Sequence, residues 1–283
     1  MGYSWVNVSP QKRRSRRFPH GRRVLAVWTA MLILAFSPAA FLSAPAAFFP
    51  AMEVALAQEG GVGLTSEWVR TFTMPTEAGE LEIINQIGAI RVTAAAPGVE
   101  QISISAKADA KPGAGEPRIQ AVQSSPQRVK VKVTGRSRVD FDVRVPASTR
   151  LDLLTFRGTI SVVDLDGQVR ARIASVGDIE LSRLRSQQVE GHSHNGNVRF
   201  SGQLQLKGNY SLKSYSGRVE VAVPDDADFT LLASTHQGGF DLGGFPMRYD
   251  RQERDVVEAV SGNGHSKLYL WTQEGSIRLR RQL

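Results

Sequence analysis

The sequence predicts an all-β fold of stacked coils, a β-solenoid with about 20 residues per coil. A short phrase of glycine followed by alternating apolar and polar residues recurs at nearly constant spacing. Apolar residues follow each glycine at fixed positions, and no stretch after residue 57 has apolar residues at helical spacing. The glycines that begin the phrase, including an early copy, are Gly88, Gly158, Gly177, Gly196, Gly217, Gly238 and Gly275.

The positions around each glycine have predictable directions. Residues two and four places after it, such as Val198 and Phe200 after Gly196, share one strand face and should stack inward on the next coil. The glycine marks a corner, because positive φ allows a tight turn. A hydroxyl residue three places before most of the glycines should satisfy backbone groups at that corner. The second copy has Ala174 there and Ser175 one place later, which suggests a corner shorter by one residue.

Residues 1–57 have the order of an export signal: a basic run, an apolar stretch and an Ala-Leu-Ala motif. The apolar stretch from Val24 to Phe36 has 13 residues, fewer than the ~20 that span a bilayer. The segment is therefore a signal peptide cleaved after Ala57 or, if the apolar part extends through Phe49, an N-terminal membrane anchor. Both alternatives export the rest of the chain.

The remainder divides into a short leader and one domain. Residues 58–80 are expected to be a flexible leader and the first strand. Residues 81–283 are expected to form the β-solenoid domain, with loops near 106–127 and 243–264, where the composition becomes polar and irregular.

The net charge of +8 is concentrated in the export segment. The first 57 residues contain seven of the 35 basic residues and one of the 27 acidic ones, which leaves 28 against 26 in the rest. The domain is nearly neutral and lacks a nucleic-acid motif, so we expect no nucleic-acid binding. The chain has no cysteine, which excludes disulfides, thiolate metal sites and cysteine nucleophiles.

Two sets of charged residues are candidates for chemistry on the outer surface. If successive coils stack in register, Glu180, Arg199 and Glu220 form a row of alternating sign. We interpret this row as a salt-bridge ladder rather than a ligand stripe, because the arginine would neutralise both acids. A polysaccharide-cleaving site would instead need four acids to converge in one groove, namely Asp164, Asp166, Asp178 and Glu180.

Histidines are the remaining candidates for a site. His192 and His194 share a strand face, and His236 has a similar place relative to its glycine, so the three are weak candidates for a metal site. No acid or cysteine completes a ligand pattern, and we expect no metal, cofactor or catalytic residue. His265 has no nucleophile motif around it. Tyr269 and Trp271 are expected in the core or at a cap.

The repeat layout resembles a known family. The glycine phrases, the preceding Ser/Thr residues, the Val-Pro pairs at Val145 and Val223 and the final GNGHSKLYLWTQEGSIRL are similar to the bacterial "putative adhesin" β-solenoid family, a domain of unknown function. The resemblance covers roughly residues 81–283. It implies a single-stranded parallel β-helix, right-handed, on exported or surface proteins, with no catalytic residue to carry over.

The expected function follows from a regular repeat without a reactive constellation. We expect an exported, non-enzymatic, adhesin-like binding or structural module of the bacterial envelope, located in the periplasm, at the cell surface or outside the cell. Its partner would be a protein or a glycan, and it would contact the membrane only through an uncleaved N-terminal segment. The alternatives are a polysaccharide lyase or hydrolase on a β-helix and a partner in envelope signalling.

Overall fold

The described residues form β structure. The structure is a computed structural model, and it describes residues 67–74, 79–109 and 117–282. These residues are strands, turns and bends with no helix among them, which confirms the all-β class. Within them, no helix of the length and apolarity needed to cross a membrane is found. The expected export segment, 1–57, and the leader up to residue 66 lie outside the described residues.

The described strands join into two sheets. Their bounds are β1 Glu67–Thr73, β2 Glu80–Ile87, β3 Ile90–Ala94, β4 Gln101–Asp109, β5 Arg118–Ser125, β6 Arg128–Thr134, β7 Arg138–Val145, β8 Arg150–Arg157, β9 Ile160–Val163, β10 Val169–Val176, β11 Ile179–Leu184, β12 Gln188–Asn195, β13 Val198–Gly202, β14 Asn209–Ser216, β15 Val219–Val223, β16 Phe229–Gln237, β17 Phe240–Asp241, β18 Met247–Gln252, β19 Val256–Ser261, β20 Ser266–Glu274 and β21 Ile277–Arg281. The eleven-stranded sheet has the order β18-β19-β16-β20-β14-β12-β10-β8-β2-β6-β5. The ten-stranded sheet has the order β1-β4-β7-β3-β9-β11-β13-β15-β21-β17.

Each central copy of the repeat supplies one strand to each sheet. β8, β10, β12 and β14 lie side by side in the eleven-stranded sheet, and β9, β11, β13 and β15 lie side by side in the ten-stranded sheet. The pairing is parallel and in register, since Ile179 lies opposite Ile160 on one side and Val198 on the other. The repeat is therefore a pair of strands, and equivalent residues stack along the direction of the backbone hydrogen bonds.

The core lies between the two sheets. The inward residues Ile179 and Leu181 are at most 1% exposed. Tyr210 is also fully buried; its hydroxyl donates to the Ser186 carbonyl at 2.7 Å and accepts from the Gln205 N–H at 2.7 Å. These bonds satisfy the polar group that this aromatic residue carries into the core, and burial raises the pKa of Tyr210.

The order of the strand pairs in space differs from their order in the chain at both ends. β20 and β21 lie between β14–β15 and β16–β17, which precede them in the sequence. Leu270 of β20 accordingly lies opposite Leu212 on one side and Ala233 on the other. Near the N-terminus, β6–β7 pair with the outer side of β2–β3, and β8–β9 pair with the inner side. The outer strands β6 and β7 thus come before the inner strands β8 and β9 in the chain.

Both segments expected to be loops contain strands. The expectation near 106–127 was wrong for the end of β4 and for β5, and the one near 243–264 was wrong for β18 and β19. These strands pair antiparallel at or next to the sheet edges. Edge strands bury few side chains, and β18 is exposed at five of its six residues. Polar residues there discourage pairing with other chains, so the composition resembles that of a loop.

The corner glycines form a column along the stack. Six of the seven have φ between 128° and 154°, as at Gly196 with 151°. A Cβ at Gly196 would overlap the carbonyl oxygen of Gly177 on the neighbouring strand pair, so both the conformation and the close approach require glycine. Gly238 differs, because its φ lies outside this positive region. A Cβ there would still overlap the carbonyl oxygen of Gly275.

Buried hydroxyl groups support the same column, which confirms their interpretation. Ser193 Oγ donates to the Gly177 carbonyl at 2.7 Å, and Ser214 Oγ donates to the Gly196 carbonyl at 2.8 Å. Thr272 makes the equivalent bond, at 2.9 Å, to the Gly217 carbonyl. Each hydroxyl therefore joins one strand pair to the next at the point where the strand ladder is interrupted.

The second copy departs from this pattern in a way the sequence did not indicate. The register places Ile173 opposite Thr155 and Ser193, with a β-bulge before Val176. The corner before Gly177 is therefore longer by one residue, and the expectation of a shorter corner was wrong. The additional residue bends the strand and turns two small side chains to the outer face.

Candidate functional site

The expected row of charged residues crosses the outer face of the ten-stranded sheet. Arg199 lies opposite Glu180 on one side and Glu220 on the other. The nearest ionic contacts run diagonally, because Arg199 lies 3.7 Å from Asp178, and Glu220 lies 2.9 Å from Arg280. Exposed pairs of this kind contribute less than about 1 kcal/mol each. The row therefore supports register and solubility.

The four acids considered for a cleavage site do not converge. Asp164 accepts two hydrogen bonds from Arg183, at 2.6 and 2.7 Å, and both residues have positive φ at a stacked corner. Asp166 accepts two from Arg185, at 2.8 and 3.2 Å. Asp164 borders a surface depression, and none of Asp166, Asp178 and Glu180 lines it.

The electrostatics of these acids also oppose cleavage chemistry. The Arg183 guanidinium, through its hydrogen bonds, lowers the pKa of Asp164. Asp178 accepts a hydrogen bond from the Asn197 backbone N–H at 2.7 Å. A carboxylate that is paired and has a lowered pKa is a poor general acid near neutral pH.

The three histidines considered as metal ligands share an outer face but lie apart. His192 and His194 are on β12, whereas His236 is on β16, three strands away because β14 and β20 intervene. Three strand spacings are about 14 Å. Burial and the nearby Lys213 lower the pKa of His192, which favours its neutral form. In the described part of the chain, no group of three or more potential metal ligands is close enough to hold an ion.

An aromatic row crosses the same outer face of the eleven-stranded sheet. Phe156 on β8, His194 on β12 and Tyr215 on β14 occupy equivalent positions. The His194 and Tyr215 rings stack at 5.0 Å between centroids. On β10, which lies between β8 and β12, the equivalent residues are Ala174 and Ser175. The row therefore has a gap that is one strand wide.

Sequence reasoning missed this row, although a signal was present. An aromatic ring or imidazole stands two places before the corner glycine in four copies of the phrase: Phe156, His194, Tyr215 and His236. That position alternates with the buried hydroxyl position and must face outward. Phe156 is 48% exposed and Tyr215 is 43% exposed, so this side of the sheet presents large rings to solvent.

Tyr269 and Trp271 also lie on this outer face, and the expectation of core or cap positions was wrong. Both are half-buried residues of β20, which is an interior strand of the sheet. The reason is the insertion of β20 between β14 and β16, which the sequence order conceals. Lys213 Nζ lies 5.0 Å from the centroid of the Tyr269 ring, a cation–π contact.

A separate polar contact closes the turn before β20. The Asp228 carboxylate accepts hydrogen bonds from the His265 backbone N–H at 2.9 Å and contacts His265 Nδ1 at 2.5 Å. These bonds lower the pKa of Asp228 to about 2. The pair borders an open cavity of about 440 Å³ that Leu206 and Pro224 also line. Ser266 Oγ donates to the Gln205 carbonyl at 3.0 Å, so this hydroxyl is engaged with the backbone.

Comparisons with known proteins find a family similarity in the second half of the chain. Residues 150–280 match a family model described as Toastrack DUF4097. The match begins at the first residue of β8 and extends into β21. Residues 150–280 are therefore similar to the Toastrack family, and the resemblance to a domain family of unknown function is confirmed over this segment. The comparison with curated proteins gives no match.

A comparison with solved structures gives matches over most of each chain. The chain shares 8% identity and a TM-score of 0.49 with a structure described as a putative cell adhesion protein from Clostridium sporogenes, over 77% of this chain and 100% of that one. For a putative adhesin from Bacteroides fragilis, the values are 13% and 0.31, over 76% and 97%. For a putative adhesin from Parabacteroides merdae, they are 10% and 0.27, over 77% and 97%.

Proposed function

We propose that this chain is an exported, non-enzymatic β-solenoid that acts as an adhesin-like binding module of the bacterial envelope. In this proposal the two sheets are the sides of a single-stranded, right-handed parallel β-helix, whose outer faces are flat and extended. Such a stack buries its apolar residues between the sheets and leaves two broad surfaces for a partner. The export segment, whether cleaved or retained as an anchor, delivers the domain to the envelope.

One observation carries the non-enzymatic part of the proposal. Two of the acids considered for cleaving a polysaccharide, Asp164 and Asp166, are each held by an arginine through two hydrogen bonds. Cleavage needs one free carboxylate as a base and one protonated carboxyl as an acid. Bidentate pairing opposes both states, because it stabilises the charged form and occupies its oxygens.

The binding part is tested by comparing retention with turnover. The full chain is passed over immobilised envelope polysaccharide, and the same polysaccharide in solution is assayed for new reducing ends and unsaturated products. We expect retention without product release. Product formation that increases with protein concentration and is lost in Asp164→Asn would contradict the proposal, as would the absence of retention on every envelope fraction.

The export part has its own measurement. We expect the full chain, expressed in a bacterium, to be absent from the cytoplasmic fraction and sensitive to protease added to intact cells or to released periplasm. N-terminal sequencing then distinguishes the alternatives, because cleavage yields a chain that begins at Gln58, whereas an anchor retains the N-terminal segment. Recovery of the intact chain from the cytoplasm alone would contradict export.

A further inference from the structure

We propose that the gap in the aromatic row is a binding slot for one sugar ring of an acidic polysaccharide, whose uronate carboxylates pair with Arg157 and Lys213. This inference rests on the proposed binding function, and it names the surface and the ligand class. Its starting point is the register of three neighbouring strands, β8, β10 and β12.

The slot has two walls and a floor. Phe156 and His194 stand on strands separated by two spacings, about 9.6 Å. Between them the β-bulge of β10 presents only Ala174 and Ser175. No large side chain on β10 covers the ring of Phe156, which agrees with its 48% exposure. The width exceeds the contact distance of two stacked aromatic rings and admits one flat sugar ring between them.

The His194 side chain that forms one wall of the slot is held in place by a neighbouring ring. Tyr215 stacks on the side of His194 that faces away from the slot, with the two ring planes 17° apart. The floor lies over Ile173, which is 1% exposed in the core. A site on interior strands whose side chains are already ordered loses little conformational entropy when it binds.

The charges around the slot favour an acidic ligand. Among the described residues, Arg157 and Lys213 have no acidic partner. Two carboxylates near the slot are already engaged, because Asp152 accepts from Arg172 at 2.8 Å and Glu190 accepts from Arg170 at 2.8 Å. The row itself contains no acid, and the two side chains beside it that lack an acidic partner in the described part of the chain, Arg157 and Lys213, are both positive.

A uronate sugar matches this arrangement on a single ring. Its C–H face stacks on an aromatic side chain, and its carboxylate projects from the edge toward a cation. Beyond the slot, Tyr215 continues the row on β14, and on β20 Trp271 lies opposite Lys213, two residues before the position equivalent to Tyr215. An extended acidic chain that runs along the stacking direction would therefore meet the rings of the row and, beside Tyr215, the ammonium group of Lys213.

The decisive variant fills the slot. Affinity electrophoresis of the full chain in gels containing polygalacturonate measures the dissociation constant from the retardation. We expect Ala174→Trp to weaken binding at least tenfold, because the indole occupies the space between Phe156 and His194. The matched control is Ala222→Trp, an outward position on the ten-stranded sheet, which should bind as the unmodified chain does. Equal retardation of both variants would overturn the slot.

Further variants test the rings and the charges separately. Phe156→Ala is expected to weaken binding about tenfold, equivalent to about 1.4 kcal/mol. Lys213→Gln should weaken it several-fold, whereas Lys107→Gln, an exposed lysine on the ten-stranded sheet, should not. Fully methyl-esterified polygalacturonate, which keeps the backbone but lacks the charge, should show little retardation. Equal binding of the esterified polymer would overturn the acidic ligand class.

The failure of this inference can be distinguished from failure of the proposed function. If the full chain is retained on envelope polysaccharide but binds no polygalacturonate, or if the slot variants bind it normally, the slot is wrong and the binding function stands. If no envelope fraction retains the chain, the function itself is wrong. Circular dichroism and urea midpoints close to those of the unmodified chain are required for each variant, and the exposed positions make this result expected.

Discussion

At the scale of single residues, the stack depends on corner glycines, which have no Cβ atom. The carbonyl of each corner glycine occupies the space that a Cβ on the next corner would need, as between Gly177 and Gly196. The hydroxyl three places earlier then donates to that carbonyl. The sequence could predict both features, because glycine and Ser or Thr recur at constant offsets. It could not predict the β-bulge before Gly177, because a bulged strand contains the same types of residue as a regular strand.

Replacement of one corner glycine should therefore destabilise the domain strongly. Gly196→Ala forces an alanine to φ of 151° and into the Gly177 carbonyl, so we expect a loss of more than about 2 kcal/mol in the free energy of unfolding. Urea denaturation of the full chain measures it. The control is Gly239→Ala, because a Cβ there has nothing within 4 Å. A Gly196→Ala midpoint equal to that of Gly239→Ala would contradict this explanation.

The hydroxyl ladder gives a smaller and separate effect. Ser214 is fully buried, and its Oγ donates to the Gly196 carbonyl at 2.8 Å. Ser214→Ala should cost about 1 kcal/mol, because the carbonyl loses its donor in a buried setting. Ser201→Ala, which removes an outward hydroxyl of β13, should have almost no effect on the same urea midpoint. Equal changes in both variants would mean that the buried bond contributes nothing.

At the scale of elements, edge strands and turns decide how the stack ends. The antiparallel β18 and β19 close one edge of the eleven-stranded sheet, and the chain then turns back into the stack at β20. Asp228 holds that turn through His265. The sequence could not reveal this contact, because the two residues belong to different strand connections and no motif links them.

The contact predicts a pH dependence at acidic pH. Hydrogen bonds from His265 lower the pKa of Asp228 from 3.8 to about 2. A carboxyl with a lowered pKa in the folded state contributes stability that is complete above about pH 4 and is lost as the pH falls toward 2. We expect Asp228→Asn to remove this part of the dependence, so that the difference from the unmodified chain is largest near neutral pH and disappears near pH 2.

Thermal or urea unfolding between pH 2 and 7 measures this dependence. The control is Asp226→Asn, which removes a neighbouring carboxylate but leaves the contact between Asp228 and His265 intact. It should follow the pH profile of the unmodified chain in this window. Identical profiles for the Asp228→Asn variant and the unmodified chain would show that the contact does not stabilise the fold.

At the scale of the whole molecule, the sequence predicts the composition of the stack but not its order. Every copy of the phrase buries the same kind of residue, as Leu212 and Leu270 do in β14 and β20. The exposed edge of β14 could pair with β16, the next strand of this sheet in the chain, or with β20, because both have the same alternation of apolar and polar residues. The local sequence therefore does not show which of the two strands lies beside β14. The aromatic face depends on this order, because insertion of β20 brings Trp271 beside Lys213. The part of this face that β20 supplies could therefore not be predicted from the sequence, whereas the rings two places before the corner glycines, such as Phe156 and Tyr215, could have been found there.

The central structural claim is that the last pair of strands lies inside the stack, and disulfide trapping tests it directly. The chain contains no cysteine, so introduced pairs report alone. Tyr269 lies opposite Ser211 on one side and Leu232 on the other. Adjacent strands allow the 4.4–6.8 Å between Cα atoms that a disulfide needs, whereas two spacings, about 9.6 Å, do not.

The measurement is the yield of intramolecular disulfide, by mass spectrometry of the oxidised full chain. We expect Ser211→Cys with Tyr269→Cys to cross-link and Ser211→Cys with Leu232→Cys to remain reduced. Efficient cross-linking of positions 211 and 232, with none between 211 and 269, would mean that the strand pairs stack in chain order. That result would contradict the fold described above and, with it, the aromatic face formed by β14 and β20.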